Sequence, residues 1–122
     1  MTEKPLFYET RRDPEPENVT RKRGKLRVFA VYAPKEKGGR LRGDEVKHNV
    51  MHAPDGMEQG VANNEGRDLA RTILGHWLGT ESPHQTLYNP FCALFVASAK
   101  VHLPLKITAE QIEAFMAKRD QA

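Results

Sequence analysis

The chain has 122 residues, 39% of them apolar and 29% charged, with a formal net charge of +3. That is the size and balance of one soluble globular domain, and no apolar run approaches the roughly 18 to 20 residues that cross a bilayer. The opening Met1-Thr2-Glu3-Lys4-Pro5 lacks the apolar stretch of a secretory signal, and the single cysteine, Cys92, excludes an internal disulfide and fits a reducing cytoplasm.

In chain order, residues 1–20 read as a flexible arm, because Arg12-Asp13-Pro14-Glu15-Pro16-Glu17-Asn18 mixes proline with charge and has no apolar period. Leu6, Phe7 and Tyr8 are the residues of this arm that can pin it to a core or a partner. One domain is expected over residues 21–119. Lys25 to Tyr32 is rich in β-branched and aromatic residues and predicts a strand, ended by Pro34 and Gly38-Gly39. Shorter strands are expected around Arg40 to Arg42 and Glu45 to Met51. After the Pro54-Asp55-Gly56 turn, Met57 to Val61 alternates like a last strand.

The second half predicts helices. Leu69, Ala70, Ile73, Leu74, Trp77 and Leu78 form an apolar stripe at helical spacing, with Asn63 or Asn64 as start and Gly79 as C-terminal cap. Asn89-Pro90 reads as a second helix start, with Phe91, Leu94, Phe95, Ala97, Ser98 and Val101 running through the core until Pro104. Thr108-Ala109-Glu110-Gln111 is a capping box, and Ile112, Phe115 and Met116 give the last helix its buried side. The fold class is therefore α+β: a small antiparallel sheet of three to four strands, followed by three helices packed on one face. Leu69, Ile73, Trp77, Leu94, Phe95, Ile112 and Phe115 are expected to form one buried cluster.

Charge is unevenly spread. Residues 1–50 carry 13 Lys/Arg against 8 Asp/Glu, a net of +5, while residues 51–122 carry 6 against 8, a net of −2. The excess sits in Arg21, Lys22, Arg23, Lys25 and Arg27 and again in Arg40 and Arg42. These are the candidate contacts to a nucleic acid or a protein partner, since clustered cations neutralise phosphates. The competing explanation is a solvated strand edge guarded by charge.

No catalytic constellation emerges. His48 and His52 are four apart, about 13 Å along a strand, too far to share one metal ion, and no acidic or thiolate partner stands at ligand spacing. Cys92 falls near a helix start, where the dipole lowers a thiol pKa, but a buried inert thiol is the commoner outcome in an apolar helix. Ser82 and Ser98 lack the nucleophile-elbow context, and the glycines fit neither phosphate-loop nor dinucleotide patterns. Catalytic residues, cofactors and metals are therefore all assigned as none.

The stretch from His52 to Leu74 carries the most information: a turn, a short alternating segment and a Gly/Asn-rich bend lead to a helix N-terminus beside Glu58, Asn63 and Asn64. Such a terminus can hold an anion; the alternative is that glycine and asparagine only permit a tight connection. His52, Pro54, Gly56, Glu58 and Gly60 are assigned to a structural turn, with His52 bonded to backbone and Glu58 accepting from N–H groups at Ala62 to Asn64. The same residues, with Leu69, Ala70, Ile73 and Leu74, resemble the pattern H-S-P-x-G-F-E-W-G-Y followed by P-x-Q-L-A-L-A-I-L of domain-of-unknown-function family 6166. The similarity covers about residues 40–117, including Phe95-Val96-Ala97 and Leu105-Lys106-Ile107-Thr108. Met57, Gln59 and Val61 replace its aromatic positions, and Gly66 replaces its helix-opening proline. If those aromatics form a binding face, it is lost or altered here. The resemblance implies phage, plasmid or bacterial accessory genes, and no reaction.

The functional expectation is a cytoplasmic, non-enzymatic accessory protein that binds a host protein or nucleoprotein complex stoichiometrically, as an anti-defence (anti-CRISPR-like) inhibitor would. The alternative is direct nucleic-acid binding through residues 21–27 and 40–42. An enzyme using His52 and Glu58 has the least support.

Overall fold

A computed structural model describes residues 3–14 and 24–120. Its strands are β1 (Phe7–Arg12), β2 (Leu26–Tyr32), β3 (Arg42–Val46) and β4 (Lys106–Thr108), and its α-helices are α1 (Asn64–Leu78), α2 (Gln85–Phe91) and α3 (Ala109–Asp120). A π-helical turn, Cys92–Val96, continues α2. All strand pairs are antiparallel, in the order β3-β2-β1-β4. The α+β class is as expected.

The first correction concerns the arm. Phe7–Arg12 is an interior strand: Tyr8 lies opposite both Ala30 and Ile107, and Thr10 opposite Val28. Tyr8 and Thr10 point inward and are buried, while Phe7, Glu9 and Arg11 face the other way. The partners that order this segment lie some 20 and 100 residues further on, so no local period announces them. Lys106 and Arg11 lie over the Phe7 and Phe29 rings, 4.1 and 4.4 Å from the centroids, and shield them from water on the outer face.

Inward residues Tyr8, Val28, Ala30, Val46 and Ile107 pack against Leu69, Ile73, Leu74 and Trp77 of α1, Tyr88 and Phe91 of α2, and Ile112 and Phe115 of α3. Helix α1 is buried over most of its circumference, as befits a helix covered on several sides. Its expected caps are both present: the Asn63 side chain accepts from the N–H groups of Glu65 (3.1 Å) and Gly66 (3.2 Å), and Gly79 takes the left-handed conformation at φ 73°. The capping box at α3 also closes, with Gln111 N–H donating to Thr108 Oγ1 and Thr108 N–H to Gln111 Oε1.

Four further expectations change. A single strand, β3, replaces the two expected between residues 40 and 51. Residues 57–61 form no strand, because Met57, Glu58 and Gln59 are buried in succession and Gly60 turns the chain at φ 78°. A Cβ on Gly60 would meet Val101 Cγ2 at 2.6 Å. Helix α2 begins at Gln85, capped by His84, so Pro90 lies inside it. Proline contributes no N–H there, and the residues that follow adopt the wider π turn, with Ala97 N–H donating to Cys92 O at 2.8 Å. That turn moves Leu94 out of the core, to 57% exposure.

Candidate functional site

The turn from residue 52 to 60 is anchored by an aspartate. Asp68, fully buried on α1, accepts from His48 Nε2 (2.9 Å) and from the N–H groups of Met51 (3.3 Å), His52 (3.0 Å) and Ala53 (3.0 Å). Burial opposes its charge, yet the His48 imidazole and these three backbone donors together hold its carboxyl below the ordinary range. Pro54 then occupies the second position of a β-turn closed by Gly56 N–H donating to Ala53 O at 3.2 Å. The His52 imidazole is hydrogen-bonded to the Tyr88 hydroxyl at 3.0 Å, not to backbone.

Glu58 also differs from expectation. Its carboxylate faces Arg12 at the end of β1: Arg12 Nη1 donates to Oε2 at 3.2 Å and Nη2 to Oε1. The N–H of Gln59 also donates to Oε1, at 3.0 Å. The helix-start donors are taken instead by Asn63. Arg12 further donates to Gly24 O (3.0 Å) and Val101 O (3.4 Å), so one guanidinium ties three chain segments together. Gln59, equally buried, accepts from Thr10 Oγ1 at 2.6 Å and donates to the carbonyls of Lys100 and Leu103. Gly66 is needed where α1 starts, because a Cβ would lie 2.1 Å from Val61 O. His52, Glu58 and Gln59 thus face protein partners, an arrangement that holds a fold together.

The basic residues divide. Arg21, Lys22 and Arg23 lie outside the described residues. Arg27 Nε donates to both Asp13 oxygens (2.9 and 3.0 Å) and its Nη1 to Glu45 (3.1 Å). The bond from Arg27 lowers the Asp13 pKa. Arg42 donates to Glu3 (2.8 Å) and to Ala33 O (2.9 and 3.0 Å). Lys25 and Arg40 are exposed. Lys25, Arg27, Glu45, Lys47 and His48 line a cavity of about 300 Å³ together with the apolar Leu26, Val46, Val50 and Met57.

A larger feature escaped sequence reasoning. Between the end of α2 and α3 runs a groove of about 780 Å³, lined by Pro90, Ala93, Leu94 and Phe95 on one wall and Gln111, Ala114, Phe115, Lys118 and Arg119 on the other. Phe95 and Phe115 of its lining belong to an aromatic cluster with the buried Phe91: the Phe91 and Phe95 rings are 4.8 Å apart, and Phe115 lies 5.3 Å from Phe91 and 6.2 Å from Phe95. The Arg119 guanidinium sits 5.2 Å from the Phe115 ring centroid. Ala93, Leu94 and Ala114 are exposed to solvent on its walls. The sequence offered only one hint, the spacing 111, 114, 115, 118, 119 along one face of α3.

Cys92 is buried beside the Val61 carbonyl, and burial pushes its thiol pKa up. Among the described residues no three His, Cys, Asp or Glu side chains gather as a metal-binding group. Comparison of the chain with protein-family models, with curated proteins and with solved structures finds no match.

Proposed function

We propose that this chain is a non-enzymatic accessory protein of a phage or other mobile element that binds a host protein complex stoichiometrically, as an anti-defence, anti-CRISPR-like inhibitor in the cytoplasm would. The observation that carries the binding part of this reading is the groove at residues 90–95 and 111–119, where Leu94 stands 57% exposed in a lining that includes Phe95 and Phe115. Concave apolar surface with a polar rim is the usual character of a binding site. A π turn forms one wall, and such turns recur at functional sites. The mobile-element setting follows from the resemblance at residues 40–117. No helix among the described residues is long and apolar enough to cross a membrane.

The test is affinity capture from host lysate, with Leu94→Asp as the paired control. A partner held at one-to-one ratio by the wild type and lost by Leu94→Asp is the expected result. A partner retained equally by both proteins would remove the groove from the reading.

A second reading is direct nucleic-acid binding through the basic residues 21–27 and 40–42, of which Lys25 and Arg27 line one cavity with Lys47 and Glu45. Replacing Lys25 and Lys47 with Ala would then reduce the slope of log K against log salt by about 1.8, at roughly 0.9 per lost phosphate contact. Failure of the wild type to bind DNA or RNA at low salt retires this reading.

A further inference from the structure

We propose that the occupant of the groove is an amphipathic α-helix with an acidic flank, contributed by the partner protein. This rests on the groove reading above and adds the chemistry of the ligand.

Three features of the groove select a helix. Both walls are helical, so most of their main-chain N–H and C=O groups are bonded within the helices, and Leu94 O accepts from Ser98 Oγ at 2.7 Å. An extended peptide placed there finds no strand edge to pair with, whereas a helix satisfies its own backbone. The α3 wall from Gln111 to Arg119 is about 12 Å long, matching the roughly 10 Å between helix anchors at i and i+7. Each wall carries a small residue, Ala93 on one and Ala114 on the other, which leaves room for a helix to approach Phe95 and Phe115.

Charge selects the flank. Helix α3 carries both signs, but at 100° per residue they separate. Lys118 and Arg119 share the groove face with Gln111, Ala114 and Phe115, while Glu110 and Glu113 fall outside its lining. Every charged side chain lining the groove is therefore a cation. An acidic residue beside the apolar anchors of the incoming helix meets Lys118 and Arg119, and this charge sets orientation and rejects like-charged ligands.

The test uses three fluorescent 16-residue helical peptides with the same Leu and Phe anchors at i, i+3, i+4 and i+7 and with flanks of Glu, Gln or Lys. Anisotropy is read with the wild type, Leu94→Asp and the double variant Lys118→Glu/Arg119→Glu, after a thermal melt shows each variant folded. The Glu peptide should bind the wild type at least tenfold more tightly than the Lys peptide, the double variant should reverse that order, and Leu94→Asp should abolish binding of all three. If all peptides bind equally and the double variant changes nothing while Leu94→Asp still abolishes binding, the acidic flank is wrong and the groove reading stands. Binding unaffected by Leu94→Asp overturns both. Wild-type self-association in sedimentation, relieved by Leu94→Asp, makes a second copy the occupant and overturns the proposal, as does failure of every peptide to bind.

Discussion

Two regions of this molecule invite opposite first impressions. The turn at residues 52–60 is full of residues that suggest chemistry, yet Asp68, Glu58, Gln59 and His52 direct their polar atoms to protein partners. The groove between α2 and α3 is lined by alanines, a leucine, phenylalanines and two cations, with no motif, yet it leaves apolar surface open to water. Conspicuous side chains in a tight connection are what it takes to satisfy a buried backbone. A binding surface needs only shape, apolar area and a rim.

This contrast predicts that substitutions in the turn cost stability and substitutions in the groove cost binding. The largest effect is expected for Asp68→Ala, which removes the shared acceptor of four donors, the Ala53 N–H among them buried. At about 1.5 to 3 kcal/mol for a bond to a charged group, and with losses not fully additive, the cost should be at least ~3 kcal/mol in denaturant unfolding. Because its folded pKa lies below the unfolded value of about 3.9, Asp68 contributes stability that is complete above that pH and lost as pH falls through the folded pKa. Asp68→Asn should flatten this acid limb of the stability profile. An unchanged limb would deny Asp68 its anchoring role.

Next comes Glu58→Gln, which keeps shape and removes the charge facing Arg12. A loss of about 1.5 to 3 kcal/mol is expected, read as a lower melting temperature with partner binding intact in the folded fraction. Gly60→Ala should cost about 1 to 3 kcal/mol, since the added Cβ collides with Val101 Cγ2 at a backbone angle that disfavours side chains. Shortening Val101 to Ala should recover only part of the loss, because the Ala99 carbonyl, 2.9 Å from that Cβ, and the backbone angle of φ 78° remain. The smallest effect on stability is expected for Leu94→Asp, within about 0.5 kcal/mol of the wild type because the side chain is already exposed.

What the sequence made legible was local. Asn63 capping, Gly79 at the end of α1, the Thr108–Gln111 box and β2 each depend on residues within one turn or one strand, and each appears in the structure. What it concealed depends on distant partners. β1 is ordered by strands far along the chain, and β4 is three residues long, too short for a period to show. Arg12 and Glu58 are 46 residues apart, and Asp68 carries no local signal of its role, since its partners lie in the 48–53 segment. The groove was hidden by a single register change. A regular helix starting at Asn89-Pro90 is expected to place Leu94 in the core; in the structure Leu94 lies in the π turn and is exposed.

The division of labour is tested most directly by one paired measurement: melting temperature and retention of the captured host partner, for Glu58→Gln and Leu94→Asp side by side. The expected result is a crossed one, with Glu58→Gln melting lower and holding the partner, and Leu94→Asp melting like the wild type and releasing it. Glu58→Gln melting normally but releasing the partner, with Leu94→Asp still holding it, would contradict this and make the turn the site.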